Sequence, residues 1–176
     1  MMNYKNKVFE KYIDNKDISL KIKSIAEKLN QDFENKEVLF VGVLSGSIRF
    51  MMSLLENIKF PYEYDFLKVS SYKDMNRGEL SLELDVNKKY VNNKDIIIIE
   101  DIIDSGKTLD FVTKYLNSMN PNSLNVVSLL IKNDVKSKCD YYGFEIDNKF
   151  VIGYGLDINN LFRDLNHIYI KKDEER

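Results

Sequence analysis

From Ile96 to Leu109 the chain reads "IIIIEDIIDSGKTL". Four isoleucines lead into Glu100 and Asp101, and Asp104 follows just before Ser105-Gly106-Lys107-Thr108. A continuous apolar run of this kind predicts a strand covered on both faces, as in a parallel sheet. Ligands of open α/β sheets bind at the carboxyl ends of the strands. This strand would therefore bring three carboxylates to one edge. The turn after it enters a helix, whose first backbone N–H groups have no intrahelical partner. Together with the helix dipole they attract an anion. Gly106 permits close backbone approach, and Ser105 and Thr108 add hydroxyl donors.

One end of the motif thus favours a phosphate and the other is strongly acidic. Three carboxylates suit sugar hydroxyls, a divalent cation or a proton to be removed. A phosphorylated sugar with a magnesium-bound leaving group would use all of them. Taken alone, "DSGKT" reads equally as a plain turn with Asp104 as helix N-cap. The strand, paired acids and turn in register favour the site. "SGKT" is also similar to a Walker loop, but Asp101 stands where the first glycine of Gly-x-x-x-x-Gly-Lys-Ser/Thr belongs.

Working outward, "EVLFVGVLSGS" and "SIRFMMSLLENI" form a strand-turn-helix unit, and Ile18, Ile22, Ile25 and Leu29 recur at helical spacing before it. "YEYDFLKVSSY" and the alternating "LSLELDV" read as strands around a polar loop with Gly78. "KTLDFVTKYLNSMN" carries Leu109, Val112 and Leu116 on one helical face and stops before Pro121. "SLNVVSLLIK", "CDYYGFEI", "FVIGYGL" and "HIYIKK" are further strand candidates. Alternating strands and helices predict an α/β fold with a largely parallel sheet.

The 176 residues suit a single domain, residues 1–176, able to bury a core without staples. Lys and Arg number 26 against 28 Asp and Glu, so no basic surplus recruits nucleic acid. Cys139 and His167 are each the only residue of their kind, which excludes a disulfide within the chain and argues against a zinc site. No apolar stretch has signal-peptide or membrane-spanning character, so the expectation is a soluble cytoplasmic protein without membrane partners.

"IIIIEDIIDSGKTL" resembles the phosphoribosyl-pyrophosphate signature of the phosphoribosyltransferases, and in its Glu-Asp-Ile-Ile-Asp-Ser-Gly form that of the hypoxanthine branch. "VGVLSGS", "VSSY", "SLLIK", "YYGFEI", "FVIGYGLD" and "FRDLNHIYI" follow in that family's order. The resemblance implies a type I phosphoribosyltransferase fold, with a mostly parallel central sheet flanked by helices and a small hood from the N- and C-terminal segments. It implies transfer of phosphoribose from phosphoribosyl pyrophosphate to a 6-oxopurine, hypoxanthine and also guanine, with magnesium as cofactor. It also implies a homodimer or homotetramer.

The same resemblance distributes roles. Glu100 and Asp101 face the ribose hydroxyls and the magnesium, and Asp104 handles a purine proton. The turn Asp104, Ser105, Gly106, Lys107, Thr108 cradles the 5-phosphate, mainly through backbone N–H. Lys132 donates to the six-position oxygen, Phe150 stacks on the base and Val151 meets its edge. Asp157 is a magnesium carboxylate beside the purine, and Arg163 contacts pyrophosphate. Ser45 and Gly46 form the pyrophosphate loop, where the family often carries a lysine in place of Ser45. Ser71 and Tyr72 belong to a loop that covers the site. His167 receives no catalytic role.

Each residue also has a plain reading: Lys132 as a strand end reaching water, Phe150 as core, and Arg163 as a surface ion pair with Asp164. Two other readings of the whole chain stand beside the enzyme. One is a regulatory, RNA-binding protein of the pyrimidine-operon type, which would want a basic face. The other is a degenerate ligand-binding homologue, against which the intact acids and Lys132 argue.

Overall fold

The computed structural model describes residues 1–71 and 80–172. In chain order the elements are β1 (Met2–Tyr4), β2 (Lys7–Ile13), α1 (Asn15–Asp32), β3 (Val38–Leu44), α2 (Ser47–Leu55), β4 (Tyr62–Ser71), β5 (Leu80–Leu84), β6 (Asp95–Ile103), α3 (Lys107–Asn117), β7 (Ser123–Lys132), β8 (Tyr141–Ile146), β9 (Val151–Ile152) and β10 (Ile168–Lys171). The main sheet has the order β5-β4-β3-β6-β7-β8. All its pairings are parallel except β4 with β5.

β6 is central, and its isoleucines explain why. Ile97 and Ile99 pack with α1 and α2 residues such as Ile22 and Phe50. Ile96 and Ile98 pack on the opposite face with Leu109, Val112 and Leu116 of α3. All four are fully buried. Burying one such side chain contributes roughly 1.5–3 kcal/mol, so a two-sided strand tolerates acids at its end. The predicted parallel sheet, with helices on both faces, is therefore present.

A second sheet, β1-β2-β10-β9, joins the two ends of the described chain into the expected hood. Its N-terminal strands gave no periodic signal. β2 buries only Phe9 and Ile13, four residues apart, a spacing that fits one face of a strand and one face of a helix alike and so decides neither. "FVIGYGL" is a strand only at Val151–Ile152. Gly153, Tyr154 and Gly155 then take positive φ, and a Cβ on Gly153 would lie 2.2 Å from the His167 carbonyl oxygen. That close approach ends the strand and turns the chain under the hood.

Candidate active site

Ser45, Ser71, Glu100, Asp101, Asp104 and Lys132 all sit at the carboxyl-terminal ends of the parallel strands β3, β4, β6 and β7, or just beyond them. The ladder β6–β7 runs to Ile103 opposite Ile131, which brings the turn after β6 beside Lys132. Lys132 Nζ lies 2.5 Å from Asp104 Oδ1, and the lysine side chain is only 13% exposed. It also donates to Asn148 Oδ1 at 2.8 Å. Lys132 is thus a half-buried, doubly partnered cation rather than a strand end reaching water.

Asp104 is not the helix N-cap. That position is Gly106, at φ +75, with no side-chain cap. Glycine adopts this left-handed conformation without the strain a side chain would bring. Lys107 N–H points to Ser105 Oγ at 3.5 Å. The turn lines a cavity of about 80 Å³ with Glu100 and Ile102, a volume on the scale of one small anion. A larger groove of about 810 Å³ lies at the opposite end of the sheet, beside Val38, Tyr62 and Lys94, away from these carboxylates.

The acids are held in an unfavourable environment. Burial, with the charge of Asp101 adding to it, pushes the Glu100 carboxyl well above the usual range. Burial pushes Asp101 up to about 6, although the Ile102 N–H and the Arg163 guanidinium pull the other way. Asp157 adds a further upward push on Asp101. The buried Glu100 and half-buried Asp101 beside this turn are poised for cationic or hydroxyl partners.

Gly46 and Asp101 are in direct contact, since a Cβ on Gly46 would lie 1.6 Å from Asp101 Oδ2. A Cβ on Gly155 would lie 2.1 Å from the Gly46 carbonyl oxygen. The peptide bond Leu44–Ser45 is cis, Ser45 is exposed and Gly46 is buried. Arg163 pairs with Asp157 at 2.7 Å, not with Asp164, and donates to the Gly155 carbonyl at 2.7 Å. The predicted pyrophosphate loop, Asp101, Asp157 and Arg163 therefore converge on one patch.

Phe150 is 47% exposed and lies beside Phe9 of the hood, ring centroids 6.5 Å apart, so it is not a core residue. Val151 is buried in β9. Lys107 is exposed and Thr108 half-buried in the first turn of α3. Ser71 ends β4, and Tyr72 lies outside the described residues. His167 Nδ1 accepts the Asn15 N–H at 3.0 Å, tying β10 to the start of α1. Cys139 donates to the Val126 and Tyr141 carbonyls, and burial raises its thiol to about 12.

Among the described residues no three His, Cys, Asp or Glu side chains form a ready-made metal cage. Glu100, Asp101 and Asp157 are therefore not a closed protein-only site. One or two carboxylates with open positions fit magnesium, which keeps waters and takes phosphate oxygens from its substrate.

Arg49 gave no signal in the sequence. Its guanidinium donates to the carbonyls of Asp164 and Leu165 at 2.6 and 2.8 Å and to Asn166 Oδ1 at 2.5 Å. It also lies 4.6 Å over the Tyr154 ring. Arg49 clamps α2, directly after Ser45-Gly46, to the segment that follows Arg163.

Residues 9–159 match the model of the phosphoribosyl transferase domain. This chain belongs to the phosphoribosyltransferase family. A hypoxanthine-guanine phosphoribosyltransferase of Lactococcus lactis is 38% identical, over 96% of this chain and 94% of its own length. The crystal structure of a hypoxanthine-guanine phosphoribosyltransferase from Bacillus anthracis superposes with a TM-score of 0.85 at 32% identity, covering 93% of this chain and 98% of the other. The bifunctional protein TilS/HprT of Listeria innocua is 37% identical over 96% of this chain, which spans only 27% of that longer relative. The described residues include no helix long and apolar enough to cross a membrane.

Proposed function

We propose that this phosphoribosyltransferase moves the phosphoribosyl group of phosphoribosyl pyrophosphate onto a 6-oxopurine, hypoxanthine and also guanine, releasing pyrophosphate. The observation that carries this is the Lys132–Asp104 pair, 2.5 Å apart, above the phosphate turn. A hydrogen-bond donor and a proton acceptor side by side support a site in which the base meets the sugar beside them.

In this reading the turn from Asp104 to Thr108 holds the 5-phosphate through backbone N–H groups. Arg163, Ser45 and Gly46 receive pyrophosphate, and Glu100 and Asp101 face the ribose hydroxyls. The bond from the anomeric carbon to pyrophosphate breaks as a bond to a purine nitrogen forms, and positive charge develops on the sugar. Asp104 takes the purine proton, and its carboxylate also stabilises that charge. Lys132 donates to the six-position oxygen, Phe150 stacks on the base, and Val151 and Asp157 line its edge. Magnesium, held by Glu100, Asp101 or Asp157 together with substrate oxygens, would neutralise charge on the leaving group. Backbone binding at Ser45-Gly46 supports the role of that loop without the usual lysine. The proposal includes a cytoplasmic enzyme working as a homodimer or homotetramer. The RNA-binding alternative lacks support, since the net charge is −2.

Purified protein, phosphoribosyl pyrophosphate, magnesium and each purine base provide the test, with nucleotide and pyrophosphate followed together. Nucleotide should form with hypoxanthine and almost none with adenine. No product with any 6-oxopurine would refute the proposal.

A further inference from the structure

We propose that Asn148 is a positioning residue that aims Lys132 at the base and so helps set base choice, an inference that rests on the role of Lys132 given above. An ammonium has three N–H donors and no acceptor. In Lys132 one donor goes to Asp104 Oδ1 at 2.5 Å and a second to Asn148 Oδ1 at 2.8 Å. These two partners come from different parts of the chain, the turn after β6 and the loop before β9. Together they leave one donor and fix its direction. Without such partners, a lysine ammonium swings on a flexible four-carbon stem.

Asn148 also sits in the right place along the chain. Phe150 and Val151, proposed to hold the base, follow it in the same short segment. A shift of that segment would move base and lysine together, which keeps the remaining donor in register with the base edge. The third N–H is then the donor left for the base. A ring carbonyl accepts it, whereas an amino group presents hydrogen to a cation. Sites built on such a bond discriminate strongly, because the wrong base leaves buried polar groups unpaired.

The competing view is that Asn148 only shapes a turn. That turn has its own bond, from Lys149 N–H to the Asp147 carbonyl at 2.7 Å, which does not use the Asn148 side chain. Asn148 is exposed, so its replacement leaves the core intact.

Steady-state kinetics on wild type, Asn148→Ala and Asn148→Asp, with hypoxanthine, adenine and phosphoribosyl pyrophosphate varied in turn, separate these views. Asn148→Ala should raise KM for hypoxanthine by about tenfold, the scale of one hydrogen bond to a charged group. KM for phosphoribosyl pyrophosphate should hold, and the preference for hypoxanthine over adenine should narrow. Asn148→Asp keeps the acceptor oxygen and should restore hypoxanthine KM to within about threefold of wild type. An unchanged KM and base preference in Asn148→Ala, an equal rise for both substrates, or failure of Asn148→Asp to rescue would each overturn the inference. A wild type that makes no nucleotide from hypoxanthine would instead overturn the functional proposal beneath it.

Discussion

Lys132 Nζ and Asp104 Oδ1 lie 2.5 Å apart, joining the end of β7 to the turn after β6. The two groups are unequal partners. The lysine side chain is 13% exposed and the aspartate 65%. A cation that far from water needs its partners, while the carboxylate can reach solvent or a substrate proton. The pair thus puts a fixed donor beside a free acceptor, and it makes both residues open to separate tests.

Lys132→Ala removes the donor proposed for the six-position oxygen. Most hypoxanthine turnover should be lost, and the gap between hypoxanthine and adenine should close from ~10⁴-fold or more toward parity. Kinetics on both bases for both proteins check this. An intact preference in the variant would return Lys132 to the role of a structural ion-pair partner.

Asp104→Asn keeps the shape of the turn and removes the base. General acid–base groups contribute ~10²–10⁴-fold, so kcat should fall by about that much while phosphoribosyl pyrophosphate still binds. Binding is measured by calorimetry and turnover by nucleotide formation. Near wild-type turnover would mean that Asp104 only partners Lys132.

Asp101 sets a pH dependence. Burial raises its carboxyl from 3.8 to about 6 in the folded protein. Between those values the folded state holds a proton that the unfolded chain has lost. The favourable contribution is therefore complete at low pH and is lost as pH rises toward 6. Asp101→Asn never ionises, so at pH 8 the substrate-free variant should melt ~2–6 °C above wild type, with little difference near pH 4. Its KM for phosphoribosyl pyrophosphate should rise. Equal melting temperatures at pH 8 would show that the folded protein relaxes around the charge.

Gly46→Ala forces a Cβ to within 1.6 Å of Asp101 Oδ2 unless one of them moves. Forced overpacking costs ~1–3 kcal/mol, so the melting temperature should drop and pyrophosphate-dependent steps should weaken. Ser45→Ala, at an exposed side chain, should be close to silent in stability. A stable, fully active Gly46→Ala would show that the Gly46–Asp101 contact is dispensable.

Magnesium dependence follows from the open carboxylates. In the proposed reaction, pyrophosphate beside Glu100 and Asp101 would bring dense negative charge that a counter-cation offsets. A chelator should abolish turnover, and excess magnesium should restore it. Full activity under strong chelation would remove the metal from the proposal.

The central sheet was legible before any coordinates because its signal is local. Ile96–Ile99 must be buried on both faces, and a buried strand that ends in acids and a glycine turn has few alternatives. The helices over Ile18–Leu29 and Leu109–Leu116 were legible by spacing for the same reason. The hood strands β9 and β10 fall inside segments that read as strands, but β1 and β2 do not, because β2 acquires its structure from pairing with β10, some 160 positions away along the chain. The roles of Arg49 and Asn148 were equally hidden. Each is an ordinary polar residue until folding brings it to the Asp164–Asn166 segment or to the Lys132 ammonium. Asp104 shows the division within one residue. Its place after the strand is written in sequence, but whether it caps the helix or pairs with Lys132 depends on the parallel register of β6 against β7, and the left-handed Gly106 takes the cap instead.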